Sequence, residues 1–149
     1  MMSNNYTVSL EALPKFCAQL IEAYPNVKIW LFEGHLGAGK TTTIKALCHS
    51  LGVREATSSP SYSLVNLYKS TNDLQIYHAD LYRLETIEEA WDMGLHEIWA
   101  SPNADNYLFI EWFQLVYDYL PLPILKLTFS STAVESHERV ISVEYLTSK

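Results

Sequence analysis

The sequence predicts an α/β domain in which a central mixed β-sheet is flanked by helices. Two predominantly apolar runs, 27–33 and 107–110, are typical of strands that are buried in such a sheet. The first run leads through a glycine-rich turn into a segment with helical spacing of apolar residues. The length of 149 residues suits one domain and leaves no room for a separate lid or substrate domain. We therefore expect a single domain over residues 1–149.

The glycine-rich turn matches a phosphate-binding motif. Residues 34–41 follow the pattern G-x-x-x-x-G-K-[ST] of a P-loop, and the apolar run before them and the helix after them are the context that this motif needs. In a P-loop, successive backbone N–H groups point at phosphate oxygens, which glycines permit. Lys40 then serves the β- and γ-phosphates, and the Thr41 hydroxyl completes the coordination of Mg²⁺. The predicted nucleotide-binding residues of this motif are Gly34, Leu36, Gly37, Ala38, Gly39, Lys40 and Thr41.

Charge and cysteine content limit the partners and the compartment. The chain has 17 acidic and 10 basic residues, a net charge of −7, and no basic stripe for tight, unaided binding of DNA or RNA. Cys17 and Cys48 are far apart and lie among helix-patterned residues, which favours reduced structural thiols over a disulfide or a zinc site. We find no signal peptide and no apolar run of membrane-spanning length. We therefore expect a cytoplasmic protein without membrane association.

The remaining elements follow from periodicity and turn residues. A first helix has its apolar face from Leu10 to Tyr24, with Ser9 as a possible N-cap, and the helix after the P-loop spans 41–51 with Gly52 as its stop. Thr86 and Glu89 have the spacing of a capping box. The other predicted elements are, in order, a loop over 54–61, strands over 62–69 and 74–81 joined by a hairpin turn, a helix from Thr86 through Trp91, a loop over 101–106, and strands over 107–110, 122–129 and 139–145.

Two carboxylates at strand ends complete the predicted site. Glu111 follows the buried run 107–110, the arrangement of a Walker B acid, and Asp80 ends another predicted strand. The carboxyl ends of parallel strands meet at the edge where a P-loop lies, and nucleotide hydrolysis needs an acid near the metal and a group that orients water. His78 shares a strand face with Asp80. Because no third ligand has metal spacing, we interpret His78 as a hydrogen-bonded structural histidine and not as half of a zinc site.

Four strings together resemble the TsaE (YjeE) family of small bacterial ATPases. They are 34–42, 59–65, 78–83 and 110–112, and the likeness extends from about residue 9 to residue 145. The resemblance implies an ATPase that supports synthesis of threonylcarbamoyladenosine beside the tRNA anticodon. It further implies that the protein docks on the threonylcarbamoyl transferase and its inactive paralogue, contacts tRNA only indirectly, and permits continued turnover by hydrolysing ATP.

The same resemblance implies roles for individual residues. Lys40 and the neighbouring backbone would hold the phosphates, Thr41 and Glu111 would serve Mg²⁺ directly or through water, and Asp80 would act near the γ-phosphate, the metal and the water. Three more residues would neighbour the nucleotide: Thr42, Ser61 in a switch-like loop over 59–62, and Trp112.

The chain departs from the usual family pattern at three places. It has His35 where Asp is usual, Ser61 where Thr is usual, and Phe113-Gln114 where Pro-Glu is common. Ser61 keeps a hydroxyl, so its contact with metal or phosphate is expected to survive. The other two departures are expected to affect only the rim of the site and the partner surface.

GTP specificity is disfavoured by the sequence, whereas a small-molecule kinase and a nucleotide-gated binding module are alternative hypotheses. The base-reading strings of guanine-specific switch proteins, N-K-x-D and D-x-x-G, are absent. A small-molecule kinase would carry an arginine-rich lid, whereas the three arginines, Arg54, Arg83 and Arg139, are scattered singly. A third hypothesis is a nucleotide-gated binding module in which ATP only orders the loop over 59–62.

Overall fold

A computed structural model describes residues 2–55, 64–100, 106–131 and 137–149. It contains one seven-stranded mixed sheet with helices on both faces, as the sequence predicts. The strands are β1 (Met2–Ser9), β2 (Ile29–Glu33), β3 (Val65–Lys69), β4 (Gln75–Asp80), β5 (Asn106–Glu111), β6 (Ile124–Ser131) and β7 (Glu138–Leu146). The helices are α1 (Leu13–Ala23), α2 (Lys40–Ser50), α3 (Ile87–Asp92) and α4 (Leu95–Ala100), followed after β5 by short 3-10 turns at Phe113–Leu115 and Tyr117–Tyr119.

The strand order brings the predicted site residues to one edge of the sheet. The order is β1-β7-β6-β2-β5-β4-β3. Strand β2 pairs parallel with β5 and β6, and β4 pairs parallel with β5. The carboxyl ends of β2, β4 and β5 therefore lie side by side, and the P-loop leaves the sheet at that edge.

Alternate residues of the central strands fill two cores on opposite faces of the sheet. Trp30 and Phe32 of β2 pack in the core that includes residues of α1 and α2. Ile29 and Leu31 belong to the other core, with residues of α3 and α4. Burial on both faces explains why this strand reads as an apolar run. The described parts of the chain contain no helix that is long and apolar enough to cross a membrane.

The beginning of the chain differs from the sequence-based expectation. The polar segment Met2–Ser9 forms an edge strand that pairs antiparallel with β7. Its side chains from Ser3 to Thr7 are exposed, so it carries no apolar signal. Because the chain is still extended at Ser9, α1 begins only at Leu13, and its N-cap is Ala12. The Ser9 hydroxyl accepts a hydrogen bond from the Ala12 N–H at 3.2 Å, so Ser9 stabilises a turn and does not cap the helix.

Other boundaries agree with the predicted ones to within a few residues. The Thr86 and Glu89 capping box is present at the start of α3. Gly52, with φ of +99°, follows the end of α2 and is suited to a helix stop. Helix α4 and the two 3-10 turns were not predicted, because each is too short to show a period. Most of the two predicted loops and the start of the strand predicted from residue 62 lie outside the described residues.

Candidate functional site

The P-loop joins the end of β2 to the start of α2 in a backbone shape that requires glycine. Gly37 and Gly39 have φ of +82° and +105°, a region that residues with side chains rarely occupy. A Cβ atom added to Gly34 would lie 3.1 Å from both the Cβ and the carbonyl oxygen of Phe129. The turn is therefore built from backbone, as a phosphate cradle must be.

Helix α2 presents its positive end to the turn. Its N-cap residue is Gly39, which has no side chain with which to satisfy the N–H groups of the first helical turn. These N–H groups and the helix dipole favour an anion at this position. Lys40 is the first residue of the helix and Thr41 the second, so the predicted phosphate and metal ligands begin the same helical turn.

A buried carboxylate lies beside the P-loop lysine. Lys40 Nζ is 3.9 Å from Glu111 Oε1, and both residues are less than a tenth exposed. The other oxygen, Glu111 Oε2, is 2.7 Å from His78 Nε2. The structure thus brings together Lys40 and Glu111, which the sequence predicts for the site, and adds His78 to them. The hydrogen bond confirms the interpretation of His78 as a hydrogen-bonded histidine, but its partner is the predicted metal-binding acid.

Asp80 lies next to this group. It pairs with Glu111 in the register of β4 and β5, and its Oδ1 accepts a hydrogen bond from the Tyr82 N–H at 3.2 Å. Burial is the main cause that raises the pKa of the Asp80 carboxyl. The negative charge of Glu111 raises this pKa further, whereas the Tyr82 hydrogen bond and the electrostatic interactions with His78 and Lys40 lower it. Asp80 is therefore within electrostatic range of the other three groups.

Trp112 forms one wall of the cleft beside the lysine. Its backbone is left-handed, with φ of +54°, and its ring centre lies 5.0 Å from Lys40 Nζ and 5.3 Å from the Tyr82 ring centre. Trp112 is 41 % exposed, as expected for a residue at the mouth of the site. An open cleft of about 310 Å³ lies here, lined by Phe32, Glu33, Gly34, His35, Lys40, Trp112 and Gln114.

The other predicted nucleotide-binding residues lie around the turn at different depths. Leu36 is 92 % exposed at its tip, and Ala38 is buried with its carbonyl accepting a hydrogen bond from Arg139 Nε at 3.1 Å. Thr41 is half-buried. Thr42 is exposed and lines a second cavity of about 100 Å³ together with Gly39 and Arg139. Ser61 and the loop over 59–62 lie outside the described residues.

The departures from the family pattern are not all at the rim. His35 and Gln114 line the cleft and are exposed, as expected. The expectation for Phe113 is wrong, because its side chain is 4 % exposed and packs in the core that includes Ala90 and Leu95. The backbone is left-handed at Trp112, a change of direction that the sequence does not indicate, and the residue after it belongs to the core.

Contacts of His78 and Arg139 with the site residues are not predicted from the sequence. The sequence does indicate that His78 lies near the site, since it shares a strand face with Asp80. Nothing in the sequence indicates the contact of Arg139, because this residue reaches Ala38 from β7, 101 residues away.

The oxygen atoms of three side chains at the site are of the kind that Mg²⁺ prefers. Within the described ranges, no group of three or more His, Cys, Asp or Glu residues could hold a metal ion. A metal here would therefore depend on phosphate oxygens and water in addition to the protein. The Thr41 hydroxyl and the carboxylates of Glu111 and Asp80 are hard oxygen donors of the kind that Mg²⁺ uses when it is shared with a nucleotide.

Comparisons with known proteins agree on one family. The family model of the threonylcarbamoyl adenosine biosynthesis protein TsaE matches residues 7–141. The chain is 33 % identical to the tRNA threonylcarbamoyladenosine biosynthesis protein TsaE of Rickettsia conorii, covering 96 % of this chain and 77 % of the relative. It is 38 % identical to the protein of that name from Borreliella burgdorferi, covering 70 % of this chain and 74 % of the relative.

A solved structure has the same fold. The crystal structure of Bacillus subtilis YdiB superposes with a TM-score of 0.68 at 23 % identity, covering 97 % of this chain and 86 % of that one. The family model spans most of the chain and two relatives exceed 30 % identity over more than two thirds of it. The chain therefore belongs to the TsaE family of threonylcarbamoyl adenosine biosynthesis proteins.

Proposed function

We propose that this protein is a Mg²⁺-dependent ATPase that supports tRNA threonylcarbamoyladenosine modification. The observation that carries the proposal is the meeting of Lys40, Glu111 and Asp80 at the P-loop edge of the sheet. Family membership supports the pathway, and this constellation supports the chemistry. A phosphate-binding turn with a lysine, an adjacent acid and a second acid are the parts that phosphoryl transfer to water requires.

Binding is assigned to the P-loop and the first turn of α2. The backbone N–H groups of residues 34–40 and the Lys40 ammonium would hold the β- and γ-phosphates, while Thr42, Ser61 and Trp112 would neighbour the nucleotide. The Thr41 hydroxyl and the Glu111 carboxylate would hold Mg²⁺, directly or through water. When bound, the metal neutralises charge that develops on the phosphate oxygens.

Hydrolysis is assigned to the acids at the ends of β4 and β5. The Asp80 carboxylate is partly buried and lies at the same edge as Glu111, which supports a role in which it would accept a hydrogen bond from a water near the γ-phosphate and contribute to the metal site. The Tyr82 N–H fixes one of its oxygens. Lys40, Asp80 and Glu111 are therefore the proposed catalytic residues.

The proposed partners are the threonylcarbamoyl transferase and its inactive paralogue. Three large apolar side chains are exposed at or next to the cleft: Trp112 lines it, Tyr82 packs against Trp112, and Leu36 follows the lining residue His35. Exposed aromatic residues beside a polar site suit a protein interface, and a net charge of −7 does not suit direct RNA binding. The protein would act in the cytoplasm and contact tRNA only through the complex.

Phosphate release with and without the transferase complex tests the proposal. We expect slow ATP hydrolysis by the protein alone and strong stimulation by the complex. Glu111→Gln is expected to lower phosphate release far more than it lowers ATP affinity, because a charge near the metal matters most in the transition state. Transfer of label from ATP to a small acceptor would indicate a kinase instead. Equal support of the complex by a non-hydrolysable ATP analogue would indicate a nucleotide-gated binding module.

A further inference from the structure

His78 and Glu111 form a short hydrogen bond that is shielded from solvent. His78 Nε2 lies 2.7 Å from Glu111 Oε2, and the two residues are 1 % and 4 % exposed. An acid that holds Mg²⁺ is ionised, and an ionised carboxylate can only accept hydrogen bonds, so in the proposed site Nε2 carries the proton and donates it. The contact therefore fixes both the tautomer of the imidazole and the rotation of the carboxylate.

The register of the sheet determines from which side His78 approaches. Strands β4 and β5 are parallel, with His78 opposite Phe109 and Asp80 opposite Glu111. The imidazole must reach toward the carboxyl end of β5 by two residues, a distance of about 7 Å along a strand. It thus contacts Glu111 from the neighbouring strand, whereas Lys40 approaches the other oxygen from the P-loop.

We propose that His78 is a positioning residue for Glu111. Its hydrogen bond holds Oε2 and leaves Oε1 directed at Lys40 and the phosphate cradle. The inference rests on the proposed function, because it assumes that Glu111 serves a Mg²⁺-bound nucleotide. It adds that the orientation of this acid depends on a residue of the neighbouring strand that does not itself contact nucleotide or metal.

Lys40 alone does not fix the carboxylate. Its ammonium is 3.9 Å from Oε1, a separation at the outer limit of an ion pair, and it is the group expected to bind phosphate. Once Lys40 contacts a phosphate, its attraction to Glu111 is shared with that ligand. The hydrogen bond from His78 involves no P-loop atom and is retained. A buried carboxylate without such a bond is strongly disfavoured, so the donor from β4 also keeps the acid in place.

Substitutions of similar shape at position 78 distinguish the loss of the hydrogen bond to Glu111 from the loss of packing. His78→Phe keeps a ring in the core and removes the donor. His78→Gln carries an amide N–H at a reach similar to that of Nε2, whereas the donor of His78→Asn is shorter and does not reach Glu111. Ile76→Val is the packing control, because Ile76 lies two residues earlier on β4, faces the same core and is fully buried.

The readouts are ADP affinity by calorimetry with and without Mg²⁺, kcat for phosphate release, and Tm. In His78→Phe we expect the metal-free ADP affinity to stay within about twofold of wild type, since the P-loop is unchanged. We expect the gain in affinity on adding Mg²⁺, and kcat, to fall about ten- to hundredfold, the usual effect of losing the residue that orients a metal-binding side chain. His78→Gln should keep most of the Mg²⁺-dependent gain in affinity and most of kcat, whereas His78→Asn should keep neither. Ile76→Val should lower Tm without changing the Mg²⁺-dependent gain in affinity or kcat.

Several results would overturn the positioning role. The role is wrong if His78→Phe keeps the wild-type Mg²⁺ effect and kcat, or if His78→Gln and His78→Asn behave alike. If His78→Phe does not fold, the comparison of Gln with Asn decides by itself. A wild-type protein that releases no phosphate even with the transferase complex contradicts the proposed function, and the Mg²⁺ dependence of ADP affinity then still decides the role of His78.

Discussion

Lys40 Nζ lies 5.0 Å from the centre of the Trp112 ring. The ammonium group of Lys40, a residue that is only 7 % exposed, therefore lies against an aromatic face and 3.9 Å from Glu111 Oε1. A charge that is already partly removed from water interacts more strongly with an incoming phosphate than a solvated one does. Trp112 and Glu111 together keep the lysine where a triphosphate would need it.

Replacing the lysine tests its role in binding. Lys40→Ala removes charge-assisted contacts worth about 1.5–3 kcal/mol, so we expect ATP affinity to fall about ten- to hundredfold in calorimetry. Lys45→Ala is the matched control, because Lys45 is exposed on the same helix. Both variants lose one positive charge, and only the first is expected to lose affinity. Unchanged affinity of Lys40→Ala would remove this lysine from the phosphate site.

The left-handed backbone at Trp112 predicts an unusual order of stability. Glycine adopts φ of +54° without the steric cost that a Cβ brings, so Trp112→Gly should be more stable to urea than Trp112→Ala by about 1 kcal/mol. Gln19, exposed within α1, is the control position. There the glycine variant should be less stable than the alanine variant by about 1 kcal/mol. The same order at both positions would contradict the assigned backbone of Trp112.

The parts of the fold and site that could be predicted from sequence are those fixed by local spacing. Strand β5 was predicted because its residues 108–110 are buried on both faces, and Lys40 because its neighbours form a motif. Strand β1 was missed because an exposed edge strand needs no apolar residues, and only its pairing with β7 keeps it extended.

Contacts across the sheet could not be predicted because they depend on strand order. The hydrogen bond between His78 and Glu111 joins residues 33 positions apart, and it exists because β4 and β5 are neighbours in parallel register. The contact from Arg139 to the Ala38 carbonyl spans 101 positions and depends on β7 lying beyond β6. Sequence spacing identifies which strand ends carry acids, but it does not tell which side chains meet there.

The two thiols should be unreactive in the folded protein. Cys17 and Cys48 are fully buried in the core that includes residues of α1 and α2, and burial raises the pKa of each to about 12. At pH 8 only about one thiol in ten thousand would be ionised, so we expect Ellman's reagent to label the native protein only as it unfolds. Single variants Cys17→Ala and Cys48→Ala assign each signal. Rapid labelling without denaturant would contradict the packing of α1 on α2.

The same thiols predict a loss of stability in alkali. Their folded-state pKa lies above the ordinary value of 9.0, so above pH 9 the unfolded chain releases protons that the folded chain keeps. The free energy of unfolding should therefore fall as pH rises through this range. Replacing either cysteine by alanine should reduce the slope, which urea titrations between pH 8 and about 10 would measure.

Asp80→Asn should stabilise the folded protein while lowering its activity. Burial raises the pKa of Asp80 above its ordinary value of 3.8, which means that folding disfavours the ionised form. At pH 7 the folded protein carries this unfavourable charge, and asparagine removes it while keeping an oxygen for the Tyr82 N–H. We therefore expect a higher Tm and a loss of the phosphate release that the proposed function assigns to this carboxylate.

The pH dependence of the stability difference between Asp80→Asn and wild type provides an internal control. Below about pH 3.8, Asp80 is protonated in both the folded and the unfolded chain, so the stability difference between Asp80→Asn and wild type should vanish there. It should grow as pH rises through the folded-state pKa and become constant above it. A destabilised Asp80→Asn at pH 7 would mean that attraction to Lys40 and His78 outweighs burial, and that Asp80 is held in place as a structural ion pair.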